Sequence, residues 1–403
     1  MLRLCRSCKS NKLYNIISLG NLYLSDFITK NKKTPKHPLK LVVCEKCFLV
    51  QLKHTTPSFL LYTDNYGYKS GMNQTMKDHL KEIAEKSVRK VKNHKKKILA
   101  VDIGANDGTL LKFYPKSVYK VAVEPIKKLA KEAKKYADVV INDFFSYESY
   151  KKVLKDKKAD IITAISCFYD IDNPNKFLRD ITKILKKGGI FVIQQNYLKS
   201  MLEQNAFDNI VHEHLEYYSL ISLQNLLNRH GLEVFNVELN EINGGSFRTY
   251  IGFKKERKVL DSVSKLLREE RKLNFKQKKI YYDFAKRIRE NKKRVRDFII
   301  NEVKNGKKIY VYGASTRGNT LLQYFNLNKK LISCAVERNS EKWGKKIAST
   351  WIPIISEKEA RRDQPDYMLV LPWYFKEEFL KREKKYLLNG GHFIFPLPKL
   401  EVA

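Results

Sequence analysis

Between Lys97 and Leu198 the chain alternates short apolar runs with longer amphipathic stretches. The runs KKILAVDIG, VYKVAVEP, ADVVINDFF, ADIITAISCF and GGIFVIQQNYL each hold an apolar centre of strand length, and the segments between them read as helices. Near-continuous apolar strands separated by helices predict a parallel sheet covered on both faces. A ligand is then expected at the carboxyl ends of the strands. The same rhythm restarts further on, with KKIYVYGAS, a helix, KLISCAVER, DYMLVLPW and HFIFPLP, which predicts a second, smaller parallel sheet. Before the first sheet, Met76, Leu80, Ile83, Ala84 and Val88 recur at helical spacing and predict a helix over Asn73–Val91. Between the two sheets, Val259–Val303 is rich in Lys, Arg and Glu, lacks Pro and meets its first Gly only at Gly306, so one or two long helices are expected.

Length agrees with several units, since 403 residues exceed a single domain of about 150. The pattern divides into 1–70, 71–255 and 256–403. No apolar run is long enough to span a bilayer and MLRLCRSCKS has no apolar signal core, so a cytoplasmic protein without a membrane span is the expectation. Charge is heavily positive, 79 Lys and Arg against 43 Asp and Glu, a formal +36. Much of it is Lys scattered evenly, as in KNHKKK and KKVLKDKK, rather than an Arg stripe interleaved with aromatics. A compositional bias toward Lys therefore explains it better than a nucleic-acid surface, and no nucleic-acid partner is expected.

Four of the six cysteines lie within the first 47 residues as Cys5-x-x-Cys8 and Cys44-x-x-Cys47. Without an export signal, clustered pairs point to a metal rather than to disulfides. Four thiolates close the shell of a tetrahedral zinc and leave no position for chemistry, so the ion is expected to be structural and to staple a segment too small for much core of its own. The second motif, Val101-Asp102-Ile103-Gly104-Ala105-Asn106-Asp107-Gly108, ends a strand and opens a helix. Glycines there permit close backbone approach to a ligand. Glu124 ends the next strand about 20 residues on, where a carboxylate meets ribose hydroxyls, and Asp143 closes the third strand within reach of an adenine. NAD binding is the rival for this turn, although its Gly-x-x-x-Gly spacing departs from the dinucleotide fingerprint.

His212-Glu213-His214 is followed by Tyr217 and Tyr218. In an extended segment both imidazoles share one face and Glu213 takes the other. Without a third ligand nearby, a histidine general base suits the run better than a metal, and satisfied structural histidines are the plain alternative. Last, Tyr312-Gly313-Ala314-Ser315-Thr316-Arg317-Gly318-Asn319 follows the first strand of the second sheet, a turn with a hydroxyl and a guanidinium suited to phosphate, or an ordinary turn.

Taken in order, the paired cysteines, DIGANDGTLL, NIVHEHLEYYSL, NGGSFRTYI, YGASTRGNTLLQYF and the late IPI and LPWYF segments resemble the sugar C-methyltransferases that act on nucleotide-linked 4-keto deoxysugars. The resemblance covers nearly the whole chain. It implies an α/β protein with a small zinc-binding N-terminal domain, a Rossmann-like methyltransferase domain holding S-adenosylmethionine (SAM), and a second, smaller Rossmann-like C-terminal domain that helps hold a nucleotide-linked sugar. His214 is implied as the base beside the keto group, with Glu213 orienting its neighbours, His212 in the same run, and Tyr66 or Tyr68 on the substrate side. Cofactor contacts are implied at Asp102, Gly104, Asn106, Gly108, Glu124, Asp143 and Ser166, and substrate contacts at Gly245, Ser315, Arg317 and Asn319. One departure stands out: such enzymes carry a tyrosine immediately before His-Glu-His, where this chain has Val211. Either Tyr217 or Tyr218 replaces it from another direction, or the reaction differs in detail. A sugar O-methyltransferase, a zinc-ribbon RNA methyltransferase and a scaffold that has lost catalysis are the alternatives.

Overall fold

The computed structural model describes residues 1–29, 34–63, 66–91 and 97–403. The first sheet is formed by β1 (Leu13–Tyr23), β3 (Lys36–Cys44) and β4 (Val50–Leu52), while the short β2 (Phe27–Ile28) lies outside it. All pairings in this sheet are antiparallel.

The central sheet carries β5 (Leu99–Ile103), β6 (Tyr119–Val123), β7 (Val139–Ile141), β8 (Ala159–Ile165) and β9 (Leu185–Asn196), all parallel as the apolar runs predict. After β9 the chain first lends β10 (Glu216–Tyr217) to the edge of the N-terminal sheet, against Val50 and Gln51. It then returns as β11 (Leu232–Asn240) and β12 (Ser246–Phe253), giving the order β11-β12-β9-β8-β5-β6-β7. These last two strands are antiparallel to their neighbours and were not expected from the pattern. A hairpin rather than a helix joins them, and Asn243, Gly244 and Gly245 take the positive φ values it requires.

The helix expected before the sheet spans Gln74–Lys90, with the Asn73 side chain accepting from Thr75 N at 2.8 Å as its cap. The charged stretch becomes two helices, Asp261–Leu273 and Lys278–Lys304. The third sheet follows with β13 (Ile309–Tyr312), β14 (Ala335–Glu337), β15 (Lys346–Ile347, which leaves it to pair with β2), β16 (Ile354–Ser356), β17 (Tyr367–Val370), β18 (His392–Phe395) and the antiparallel edge β19 (Glu401–Val402). Its order is β16-β14-β13-β17-β18-β19.

Two apolar cores cover the two faces of the central sheet. A third runs from the N-terminal sheet through helix Lys278–Lys304 into the C-terminal sheet, so the first and last parts of the chain share one interior. The β2–β15 pair and the Tyr23–Gln323 exchange (Tyr23 N to Oε1 2.8 Å, Nε2 to Tyr23 O 3.1 Å) fasten the same junction. Among the described residues no helix is long and apolar enough to cross a membrane.

Candidate active site

The four cysteine sulfurs all lie within 4.8 Å of one another, with Cys5–Cys47 at 3.6 Å and Cys8–Cys44 at 3.5 Å. Sulfurs on a tetrahedral zinc are about 3.8 Å apart, so the set fits a closed shell of four thiolates. The two pairs are built alike: Lys9 N bonds Cys5 O at 3.0 Å, Phe48 N bonds Cys44 O at 2.9 Å, and Lys9 and Phe48 both take φ near +60°. Gln51 Nε2 donates to Cys5 Sγ at 3.2 Å. Between the first two cysteines, the fully buried Arg6 leaves the metal site. Its guanidinium donates to Leu52 O (2.6 Å), Thr55 Oγ1 (2.8 Å) and Asp172 Oδ1 (3.1 Å).

Thr55 and Asp172 stand at the rim of a cavity of about 490 Å³ at the carboxyl ends of β5, β6 and β8. Asp102, Gly104, Asn106, Glu124 and Ser166 line it, together with Tyr66 and Tyr68 from the segment after the N-terminal sheet. Gly104 needs its φ of +70°, and any Cβ there would press on Cys167 at 3.1 Å. Glu124 Oε2 accepts Asn106 N (2.9 Å) and Oε1 accepts Ile126 N (2.8 Å), which fixes the carboxylate at the mouth of the turn. Asp102 is held from below by Thr163 Oγ1 at 2.6 Å, and burial pushes its carboxyl up to about 7. Asn106 Oδ1 accepts Ser70 N, and Asp107 Oδ2 accepts Gly71 N, so the glycine turn also carries the roof of the cavity.

Two expected contacts lie elsewhere. Gly108, at φ +79°, serves packing: a Cβ there would meet Ala133 Cα at 2.8 Å. Asp143 is exposed and accepts Phe144 N at 2.8 Å, and the rings of Phe144 and Phe145 line the cavity in its place.

The His-Glu-His run is not an extended strand. It bends, with His214 N bonded to Val211 O at 3.2 Å, so the expected alternation of faces fails. His212 and Glu213 both line the cavity. His212 is buried and donates through Nε2 to His37 O at 3.0 Å, a tie to the N-terminal sheet, and burial pulls it down to about 4. His214 turns toward the C-terminal domain. Its Nδ1 donates to Asn209 O at 3.0 Å, its ring meets Tyr169 edge-on at 4.4 Å, and burial with the nearby Arg317 guanidinium lowers it to about 3. It is therefore neutral at ordinary pH, with Nε2 as the accepting nitrogen. Tyr217 donates to the same Asn209 carbonyl at 3.2 Å, whereas Tyr218 turns away to Glu216 at 2.7 Å. Of the two tyrosines expected to replace the one missing at Val211, only Tyr217 shares a partner with His214.

Arg317 comes from the C-terminal glycine turn and reaches into this region. It pairs with the fully buried Asp208 (Nε 2.9 Å, Nη2 2.6 Å), donates to Asn243 O at 2.9 Å and lies over the Tyr374 ring at 4.7 Å. Gly244 and Gly245 of the neighbouring hairpin pack on Trp373 and Ser200. Ser315 is exposed and caps its own helix by accepting from Gly318 N at 3.1 Å, while the buried Asn319 accepts from Ser349 Oγ at 2.5 Å.

Tyr62, Tyr169, Asp170 and Asp208 escaped the sequence reading, and Asn209 carried no role in it. Asp208 and Asn209 open the very segment that contains the histidines, but nothing in their spacing shows that one holds Arg317 and the other His214.

Three family models divide the chain: a zinc binding domain over residues 5–62, a methyltransferase domain over 68–237, and a C-methyltransferase C-terminal domain over 241–398. A curated relative, the C-methyltransferase NovU of Streptomyces niveus, is 29% identical over 405 residues, covering 99% of this chain and 96% of NovU. The chain is a SAM-dependent C-methyltransferase. Its three parts and its cysteine cluster match the family's zinc-binding, methyltransferase and C-terminal domains in order. Among solved structures it is similar to the plantazolicin methyltransferase BpumL in complex with SAH (14% identity, 44% of this chain and 84% of that one, TM-score 0.35). It is also similar to a SAM-dependent methyltransferase of Leishmania major (18% identity, 45% and 74%, TM-score 0.35). SAM is its cofactor, and the lining of the cavity fits that molecule: a glycine turn for close approach, a fixed carboxylate for ribose hydroxyls and aromatic rings for a base. Zinc belongs to the cysteine cluster.

Proposed function

We propose that the enzyme methylates a carbon adjacent to the keto group of a nucleotide-linked 4-keto deoxysugar, with His214 as the base. The observation that carries this reading is the setting of His214. Nδ1–H is committed to the Asn209 carbonyl, so the ring stands in one tautomer with Nε2 ready to accept a proton. Asn209 is itself held, its Nδ2 donating to Ala206 O at 3.0 Å and its Oδ1 accepting from Asn196. On the other side stands Arg317, a cation that Asp208 keeps in place.

That guanidinium disfavours an imidazolium in the free protein. It also favours an enolate oxygen, and an enolate formed beside the ring in turn favours the imidazolium. Proton removal is thus weak without substrate and strengthens as negative charge develops on the sugar oxygen, which is transition-state selectivity in electrostatic form. The bound cofactor supplies an electrophilic methyl group. Tyr66 and Tyr68 line the cavity and stand on the side assigned to the substrate. The C-terminal turn, through Arg317, joins sugar recognition to the base.

The test uses 4-keto nucleotide sugars with methyl-labelled SAM, with solvent deuterium exchange at the carbon beside the keto group read separately. Wild-type enzyme is expected to place label on carbon and to exchange that proton. His214→Ala should lower both by a factor of about 100 to 10,000 while leaving SAM affinity within roughly twofold. Near-normal exchange in that variant removes His214 as the base, and label on oxygen removes the carbon assignment.

A further inference from the structure

The loop that follows β8 runs between the cofactor cavity and His214, and the base-and-enolate chemistry gives its tyrosine no task. Ser166 opens the loop at φ +56°, a left-handed conformation that a residue with a Cβ holds only when its surroundings impose it. Its N is bonded to Gln194 O at 2.8 Å. Beyond this turn the side chains part company. Ser166, Cys167 and Asp170 line the cofactor cavity, whereas Tyr169 lays its ring edge-on against His214, with 4.4 Å between centroids. Leu215 N bonds Tyr169 O at 3.0 Å, which ties the loop to the histidine run at that point. Tyr169 is only 6% exposed. Tyr62, Tyr217 and Tyr218 have spent their hydroxyls on Asp170, the Asn209 carbonyl and Glu216. Among the described residues, Ser166 alone is placed to hydrogen-bond the hydroxyl of Tyr169. A phenol and a serine hydroxyl can each rotate their proton, so this one can turn toward an entering oxygen.

We infer that Tyr169 is a second catalytic residue, whose hydroxyl donates a hydrogen bond to the keto oxygen of the sugar and holds the enolate formed as His214 takes the adjacent proton. This rests on the reading of His214 as the base for a keto sugar. The keto oxygen is carried by the carbon next to the one that loses its proton, so its donor must stand beside the base. A phenol ring in contact with the imidazole meets that requirement. In the step itself the C–H bond breaks, the proton goes to Nε2 of His214, the C–H electron pair forms the C=C bond and the carbonyl pair moves onto oxygen. The developing charge is met by the phenol hydrogen bond and by Arg317, whose charge both His214 and Tyr169 feel. Burial holds the hydroxyl well above the ordinary tyrosine range, so it keeps its proton and acts as a donor only. Such a bond is stronger to the enolate than to the ketone, and it therefore lowers the barrier rather than merely tightening binding.

Tyr169→Phe in the zinc-loaded enzyme tests this, because it keeps the ring against His214 and removes the hydroxyl. With a 4-keto nucleotide sugar, kcat for methyl transfer and the rate of solvent deuterium exchange should both fall about 100-fold, the loss of one preorganised donor. KM and SAM affinity should stay within roughly threefold, since the bond matters chiefly in the transition state. Packing alone would leave this variant at the wild-type rate, and that result overturns the proposal. His214→Ala, measured alongside, separates the two readings. Normal exchange in His214→Ala with slow exchange in Tyr169→Phe removes the histidine and keeps the tyrosine, and the opposite pattern does the reverse. In the wild type, the 13C resonance of the bound sugar's keto carbon should also move downfield, as that of a hydrogen-bonded carbonyl does. An unmoved resonance overturns the proposal without any variant.

Discussion

The central and C-terminal domains open with the same wiring and put it to different uses. In the central one, Gly104 N bonds Val123 O (2.9 Å) and Glu124 accepts Asn106 N and Ile126 N. In the C-terminal one, Gly313 N bonds Val336 O (2.8 Å) and Glu337 accepts Ala314 N (3.1 Å) and Asn339 N (3.0 Å). Each unit is a strand, a glycine turn and a carboxylate at the end of the next strand. Yet the first turn borders a cavity, whereas the second is filled. Pro372 stands 3.0 Å from where a Cβ on Gly313 would lie, Leu371 stands 2.5 Å from one on Gly318, and Lys342 Nζ donates to Ala314 O at 2.7 Å. The carboxylate is first a device for tying the turn to the sheet. Only the space left above the turn gives it room for a ligand, and in the central domain that space is walled by other parts of the chain.

The largest effect is therefore expected from removing a wall. Arg6 carries the position of the zinc cluster to Thr55 and Asp172 at the rim of the central cavity, and among the described residues the C-terminal turn has no such link. Structural zinc contributes roughly 10–16 kcal/mol of folding free energy in isolated zinc-binding peptides. Chelation should unfold the N-terminal segment and abolish measurable SAM binding, while hydrogen exchange shows β13, β17 and β18 still protected. SAM binding that survives complete loss of zinc breaks the proposed dependence.

Exchanging the two carboxylates sharpens the comparison further. Glu124→Ala and Glu337→Ala each orphan two backbone amides and should each cost about 1–3 kcal/mol of stability. Only Glu124→Ala should also weaken SAM, by roughly tenfold, the loss of about 1.4 kcal/mol of hydrogen bonding to the ribose. Thermal melts and calorimetry on both variants decide it. Equal losses of SAM affinity would mean that Glu124 acts through folding alone.

How much of this was readable follows from range. Periodicity showed β5 to β9, the helix after Asn73 and the second sheet, because each is a local matter of apolar spacing. The Cys pairs and the glycine turn were legible for the same reason, since two or three neighbouring residues define them. The bend at His212–Glu213–His214 was not, because it depends on His37 pulling one ring and Asn209 another, 175 and 5 residues away in sequence. Asp170 was hidden in CFYDID, where either acid of a short loop looks solvated until Tyr62 is folded against it. The antiparallel β11 and β12 were missed because their buried faces mix apolar residues with Thr249 and Arg248, which blurs the alternation.

The smallest effect, and the narrowest test, belongs to Lys342. Its ammonium bonds Ala314 O, reaches Glu337 Oε2 at 3.4 Å and sits over the Phe27 ring at 4.4 Å, while its Cε would lie 3.2 Å from a Cβ on Gly67. Residues from the first and last parts of the chain thus meet on one side chain that occupies the position above the second turn. Lys342→Met keeps the aliphatic stem and removes the charge. One partly buried ion pair and one hydrogen bond are worth about 1 kcal/mol together, so the melting temperature should fall by about 2–4 °C. The stoichiometry of SAM should stay at one per chain, because Pro372 and Leu371 still cover Gly313 and Gly318. Should a second equivalent bind to Lys342→Met, the lysine alone separates the two turns, and the apolar cover from Leu371 and Pro372 has no part in the difference.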